Sequence, residues 1–384
     1  MNIKSLLLGS AAALVAVSGA QAADAVVYEP EPVEYVRVCD AYGAGFFYIP
    51  GTETCLSISG YVWMQVGGHN SDGLILGDSP SYHYGLATNQ GYNVLTRGRL
   101  NIDARSDTEW GTLRSYLRLQ GTWGTNADGN VTFDQAFLEL GGLRIGYTES
   151  AFVNSQNGGA SNWGSHSWTG MYYGYQQRHL IAYTFSGNGF AATLSLEHDD
   201  DGAIGTAGAA AAADWVPDVV GKVSYNAGWG AVWATVGYDS DMSLLAGRQD
   251  EFGVALGMQY NIPNMNGSNL RLIGYYSSGD NSYGVARLVP VPGGAGAAEW
   301  SILASYNHVF TSTFSASVAF QYNNDHYFTA TNINTGVDSW AAELSMVWTP
   351  VQNFEVRSEL AYQDVDIAGV DGSFSGFIRF TRYF

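Results

Sequence analysis

Past Val17 the chain has no unbroken apolar stretch, although hydrophobic residues make up 46% of it. A helix needs about 20 consecutive apolar residues to cross a bilayer, so a helical membrane protein is excluded. Basic residues are scarce, 16 against 35 acidic ones, and the net charge of -19 excludes nucleic acid, whose phosphates require a basic surface. Cysteine occurs only at Cys39 and Cys55, too far apart and too far from any histidine to make a metal centre. No Gly-x-Ser-x-Gly is present and the seven histidines are scattered, so no catalytic residue is assigned and the chain is not read as an enzyme. Ser165-His166-Ser167 lacks an acidic neighbour, and His198-Asp-Asp-Asp201 reads as a solvated acidic run. Asp239-x-Asp241-x-Ser243 has Leu244 where a calcium loop requires glycine, so neither metal nor cofactor is expected.

What the chain does have begins with a leader. Lys4, the short apolar run Leu6 to Val17 and Ala20-Gln21-Ala22 have the form of a cleaved signal peptide over residues 1–22, which makes Ala23 the start of the exported chain. Residues 23–54 are acidic, carry several prolines and do not alternate, as expected of a periplasmic segment. In that oxidising compartment Cys39 and Cys55 are expected to form a disulfide of structural role.

From Cys55 the pattern switches to a period of two. Leu56, Ile58, Gly60, Val62, Met64 and Val66 share one face, while Ser57, Ser59, Tyr61, Trp63 and Gln65 share the other. Sixteen such segments recur between 56–66 and 374–384, joined alternately by short and long connectors. One face suits lipid and the other water, and the 48 glycines and many aromatics suit tight turns and interfacial girdles. The expected fold is all-β, a sixteen-stranded antiparallel transmembrane barrel over residues 55–384 with short periplasmic turns and long extracellular loops. A soluble sandwich also alternates, but it has no use for so many aromatics opposite a polar face, nor for a last strand ending on Phe384. Sixteen strands leave an aqueous channel.

The water-facing frame places Arg97, Arg99 and Arg105 on one strand and Arg114 and Arg118 on the next, beside Asn101, Asp103, Tyr116 and Gln120. Such a basic wall sets a lateral field across a narrow pore if carboxylates oppose it. The plainer alternative is that the arginines pair locally with Asp103, Glu109 or Glu139 and merely hydrate the wall.

The run Val36 to Leu56, with both cysteines, and Ser59-Gly-Tyr-Val62 resembles the alphaproteobacterial outer-membrane porin family of the Brucella and Rhizobium type. Leu138 to Gly146, Pro217 to Gly221 and Gly376 to Phe380 extend the likeness along the chain. The resemblance implies a channel for passive diffusion of small hydrophilic solutes and ions, or alternatively a saccharide-selective one. It also implies a homotrimer among outer-membrane lipids and lipopolysaccharide, with Phe384 as the signal to the barrel assembly machinery. A third loop, here roughly Tyr147 to Gln177, would fold inward as the constriction, presenting Glu149, Trp163, His166 and Trp168. Such loops usually carry several acids, whereas Glu149 is the only carboxylate between Thr148 and Arg178. Arg382 stands where an aromatic is usual. Ala23-Asp24-Ala25 resembles N-termini attached to peptidoglycan, making the chain a possible tether to the cell wall.

Overall fold

The computed structural model describes residues 37–70, 91–124, 127–153, 165–166, 176–199, 215–240, 250–265, 267–285, 295–328, 332–369 and 371–384. Ala23, Trp163, Trp168 and the leader 1–22 lie outside them.

One antiparallel sheet contains all the strands. In chain order they are β1 (Phe46–Tyr48), β2 (Cys55–Asn70), β3 (Gly91–Thr108), β4 (Gly111–Gly124), β5 (Ala127–Asp128), β6 (Thr132–Leu140), β7 (Leu143–Glu149), β8 (Gln177–Gly187) and β9 (Phe190–Glu197). They continue as β10 (Asp218–Ala227), β11 (Gly230–Asp239), β12 (Glu251–Asn261), β13 (Asn269–Ser277), β14 (Ala295–Thr311), β15 (Phe314–Phe328), β16 (Ser339–Val351), β17 (Phe354–Val365) and β18 (Ser373–Tyr383). Sixteen of these close a barrel in which each strand pairs with its neighbour in sequence, and β18 returns to β2 with Phe377 opposite Gly67 and Thr381 opposite Trp63. Closure leaves no free edge. The short β1 and β5 are additions that the alternation did not reveal.

Alternation decides which way each side chain points. On β2, Ile58, Val62 and Met64 are about half exposed on the outside while Tyr61, Trp63 and Gln65 are buried inside. β2, β3, β14 and β15 run beyond the limits set by apolar period, because their outer ends are Gly-rich and polar but still make ladder hydrogen bonds. At the opposite end the hairpins are tight. Asn188-Gly189 takes φ of 52° and 81°, the left-handed pair that matches strand twist.

The N-terminal residues are bound to the tight-turn end. Phe47 pairs with Leu56, the Cys39–Cys55 disulfide is formed, and Phe46 packs against it beneath Tyr42 and Tyr48. The Tyr42 hydroxyl donates to Asp107 Oδ1 (2.7 Å), tying this loop to the β3–β4 turn. The seam is closed by the last residue. Phe384 exchanges backbone hydrogen bonds with Gly60, where a Cβ would come within 2.9 Å of the Phe384 ring and 2.2 Å of the Arg99 carbonyl.

Candidate functional site: the barrel lumen

The five arginines read from sequence share one inner wall, and each has a fixed partner. Arg97 Nε donates to Thr122 Oγ1 (2.8 Å), and its guanidinium lies 5.2 Å from the Trp63 ring. Arg99 donates to Gln120 Oε1 and stands 3.7 Å from Asp134. Arg105 and Arg114 share Asp103 at 2.7 and 2.9 Å. Arg114 also reaches Glu139 (2.8 Å), and Arg118 reaches Asp134 (3.3 Å). Glu109 takes no part, accepting instead from Trp110 Nε1. Three more arginines extend the arc. Arg144 pairs with Glu139, Arg357 with Glu355 and Glu359, and Arg379 donates to Gln65 Oε1 while stacking 4.6 Å from Trp63. Their inward period on β7, β17 and β18 was legible in the sequence. What joins them to the other five is barrel closure.

The opposite wall is apolar at mid-height. Val220, Ala255, Ile273, Leu303, Ala319 and Ala341 are buried on the inner faces of β10, β12, β13, β14, β15 and β16. Two chain segments dock on it from above. The first follows β7: Ala151, Phe152 and Val153 join the apolar cluster, and the Ala151 N–H donates to Glu197 Oε1 (2.8 Å). The second is 281–285, which the sequence pattern places in an external connector. It folds inward because Gly237 and Gly253 leave room for Tyr283, whose atoms would sit 2.4 to 2.8 Å from a Cβ at either position. Phe152 and Tyr283 then meet at 5.3 Å between ring centres.

Carboxylates latch both segments. The Tyr283 hydroxyl donates to Asp218 Oδ2 (2.9 Å) and reaches Glu197 Oε2 (3.4 Å), and the Ser282 N–H donates to Asp239 Oδ2 (2.6 Å). Burial, then Glu197 and Asp218, push the Tyr283 phenol up, so it remains a donor. Asp199, Asp218 and Asp239, which lie in three separate stretches of the sequence, bring one carboxylate oxygen each within 4.8 Å of one another here. Their oxygens could take a cation, but Asp218 and Asp239 already accept these loop donors, and Arg178 stands close enough to act on Asp218.

The third loop also touches down inside the barrel. His166 bonds Asn269 through Nε2 and Ser305 Oγ through Nδ1, the latter at 2.7 Å. Arg271 Nη1 donates to the Ser165 carbonyl (3.2 Å), and the Ser165 hydroxyl reaches Glu343 Oε1 (3.5 Å). These partners sit on β13, β14 and β16, across the lumen from β7. Glu149, expected on the loop, is instead the last residue of β7, because its backbone still pairs with Gln177.

Residues 24–377 match the family model described as Porin subfamily. Porin Omp2b of Brucella suis biovar 1 (strain 1330) is 34% identical over the full length of both chains, and Porin Omp2b of Brucella neotomae is 40% identical over 69% of this chain and 76% of its own. Among solved structures, the outer membrane channel DcaP of Acinetobacter baumannii superposes with a TM-score of 0.68 at 15% identity, covering 88% of this chain and 99% of its own. The anion-selective porin from Comamonas acidovorans gives 0.58 at 15% identity, with 86% and 100% covered. At such identities the structural likeness speaks for the fold.

Proposed function

The chain belongs to the alphaproteobacterial porin family, and on that footing we propose how its lumen meters solutes. It is a channel of the cell outer membrane rather than an enzyme. Small hydrophilic solutes and ions diffuse passively through the gap left between the arginine arc and the docked third loop. The observation that carries this reading is that one connector makes contacts on both sides of the lumen, Ala151 on Glu197 and Ser165 and His166 on β13, β14 and β16. Glu149 and His166 belong to that constriction, and we include Trp163 and Trp168 in it. Arg97, Arg99, Arg105, Arg114 and Arg118 form its charged side. The pairing of Arg99, Arg105, Arg114 and Arg118 with carboxylates leaves dipoles rather than bare cations, which orient a passing solute without trapping it.

Residues 1–22 serve as the signal peptide, 23–54 as a periplasmic segment and 55–384 as the barrel. The barrels associate as a homotrimer among outer-membrane lipids and lipopolysaccharide. Phe384, seated on Gly60, presents the signal to the assembly machinery, and Ala23 is a candidate attachment point for peptidoglycan. Purified protein should give stepwise conductance in planar lipid films, and liposome swelling rates should fall smoothly with sugar size. Electrically silent films would refute the channel, and saturation with sugars would replace general diffusion with a saccharide-selective pore.

A further inference from the structure

A cavity of about 410 Å³ opens off the lumen beside β7, β8, β9 and β10. Lys222 lines it, is only 8% exposed, and is the one lysine in the chain after Lys4. Among the described residues no hydrogen bond or ion pair reaches its ammonium. Glu149 lines the same cavity at 7% exposure, and among the described residues its carboxylate accepts only a long contact from Gln135 Nε2 (3.5 Å). Among the described residues no ion pair joins these two side chains, although both line the same space. The cavity's other charges are already matched, since Arg144 and Glu139 hold each other at 2.6 Å. Arg118, which also acts on Glu149 at a distance, is engaged by Asp134.

Buried charges are normally paired, and leaving them apart is costly unless something bridges them. Here the two face one water-accessible space that the buried Leu180 and Ala182 also line. A free anion would satisfy Lys222 but meet Glu149, a cation would suffer the reverse, and an uncharged solute would satisfy neither. A molecule carrying both a carboxylate and an ammonium on a short carbon frame satisfies both. The space is within the range of small-molecule pockets. We propose that this side pouch transiently binds small zwitterions of the α-amino-acid class as they cross the pore, with the carboxylate on Lys222 and the ammonium on Glu149. The proposal rests on the channel reading above.

The test is swelling of liposomes containing the full-length channel in L-alanine, its uncharged isomer lactamide, and lactate. Alanine entry should saturate with concentration while lactamide entry stays proportional to it. Lys222→Met and Glu149→Gln should each raise the half-saturation for alanine roughly tenfold or more, the scale of one charge-assisted hydrogen bond, with folded protein per vesicle measured on unheated gels to set the number of channels. If Lys222→Met does not assemble, Glu149→Gln carries the test alone. Alanine entry as linear as that of lactamide overturns the proposal while leaving the channel intact. Lactate saturating like alanine, with Glu149→Gln indifferent, overturns it in favour of an anion-only site. Lactamide failing to enter at all refutes the channel reading and the pouch with it.

Discussion

His166 shows how one side chain can couple the third loop to pH. Burial, then the Arg271 guanidinium, press its imidazole from 6.5 down to about 4, against the opposing effect of the Asn269 bond. The other groups facing this anchor are Ser305, which bonds the ring, and Glu343, reached through Ser165. Because the docked value lies below the free one, an undocked loop tip takes up the proton first. Docking is therefore complete above about pH 6.5 and weakens as pH falls toward 4, by at most about 1.4 kcal/mol per unit. Single-channel current noise should accordingly rise over that window, and a His166→Gln channel should show no such pH dependence. A wild-type trace equally quiet at pH 7 and pH 4.5 would contradict this role. The resemblance placed His166 on the constriction loop, but the sequence did not show where it would be seated. Its partners Asn269, Arg271 and Ser305 lie more than a hundred positions away, and no local pattern links them to it.

At the scale of elements, the sixteen barrel strands were legible because lipid on one side and water on the other impose a strict period of two. The inward course of 281–285 was not, since Asn281-Ser282-Tyr283-Gly284 has ordinary loop chemistry and its seat is two strand glycines that read as neutral. Tyr283→Ala would remove an aromatic core contact of roughly 3–5 kcal/mol, more than a short segment can lose and stay docked. Gly237→Val should evict the same ring by sterics. Both variants should widen the outer vestibule and raise conductance while the protein still runs as a folded barrel on unheated gels; unchanged conductance in both would show that the segment does not obstruct flow. The cystine loop makes a different case. Its position in sequence identified the pair, but not that β1 would extend the sheet beneath it. Opening a 16-residue closure should cost about 3 kcal/mol by the loop-entropy model. A Cys39→Ser, Cys55→Ser double variant should therefore unfold at lower temperature, with single-channel conductance kept, because barrel closure depends on β18 meeting β2.

For the whole molecule, composition and local field point in opposite directions. A chain with 35 acidic and 16 basic residues invites the expectation of a cation channel. Yet the strands that close the barrel on either side of the seam carry eight inward arginines, against the five carboxylates Asp103, Asp134, Glu139, Glu355 and Glu359 that pair with them. Facing that arc is a low-dielectric apolar wall, and the carboxylates Glu197, Asp218, Asp239 and Glu251 stand at the outer ends of their strands. Those four carboxylates are buried and already accept hydrogen bonds, the first three from the docked segments, whereas most of the arc arginines remain partly exposed to the lumen. The arc is therefore the charge that a passing ion meets, and it is screened as the Debye length shrinks from about 10 Å at 0.1 M to about 3 Å at 1 M. The reversal potential in a KCl gradient should accordingly favour chloride, and less so as mean salt rises. Neutralising Arg97 and Arg118 to glutamine should shift it toward potassium, most clearly in low salt. A reversal potential that ignores both the substitutions and the salt would mean that the arginine arc is wholly cancelled by its own carboxylates, and that only the width of the gap decides what passes.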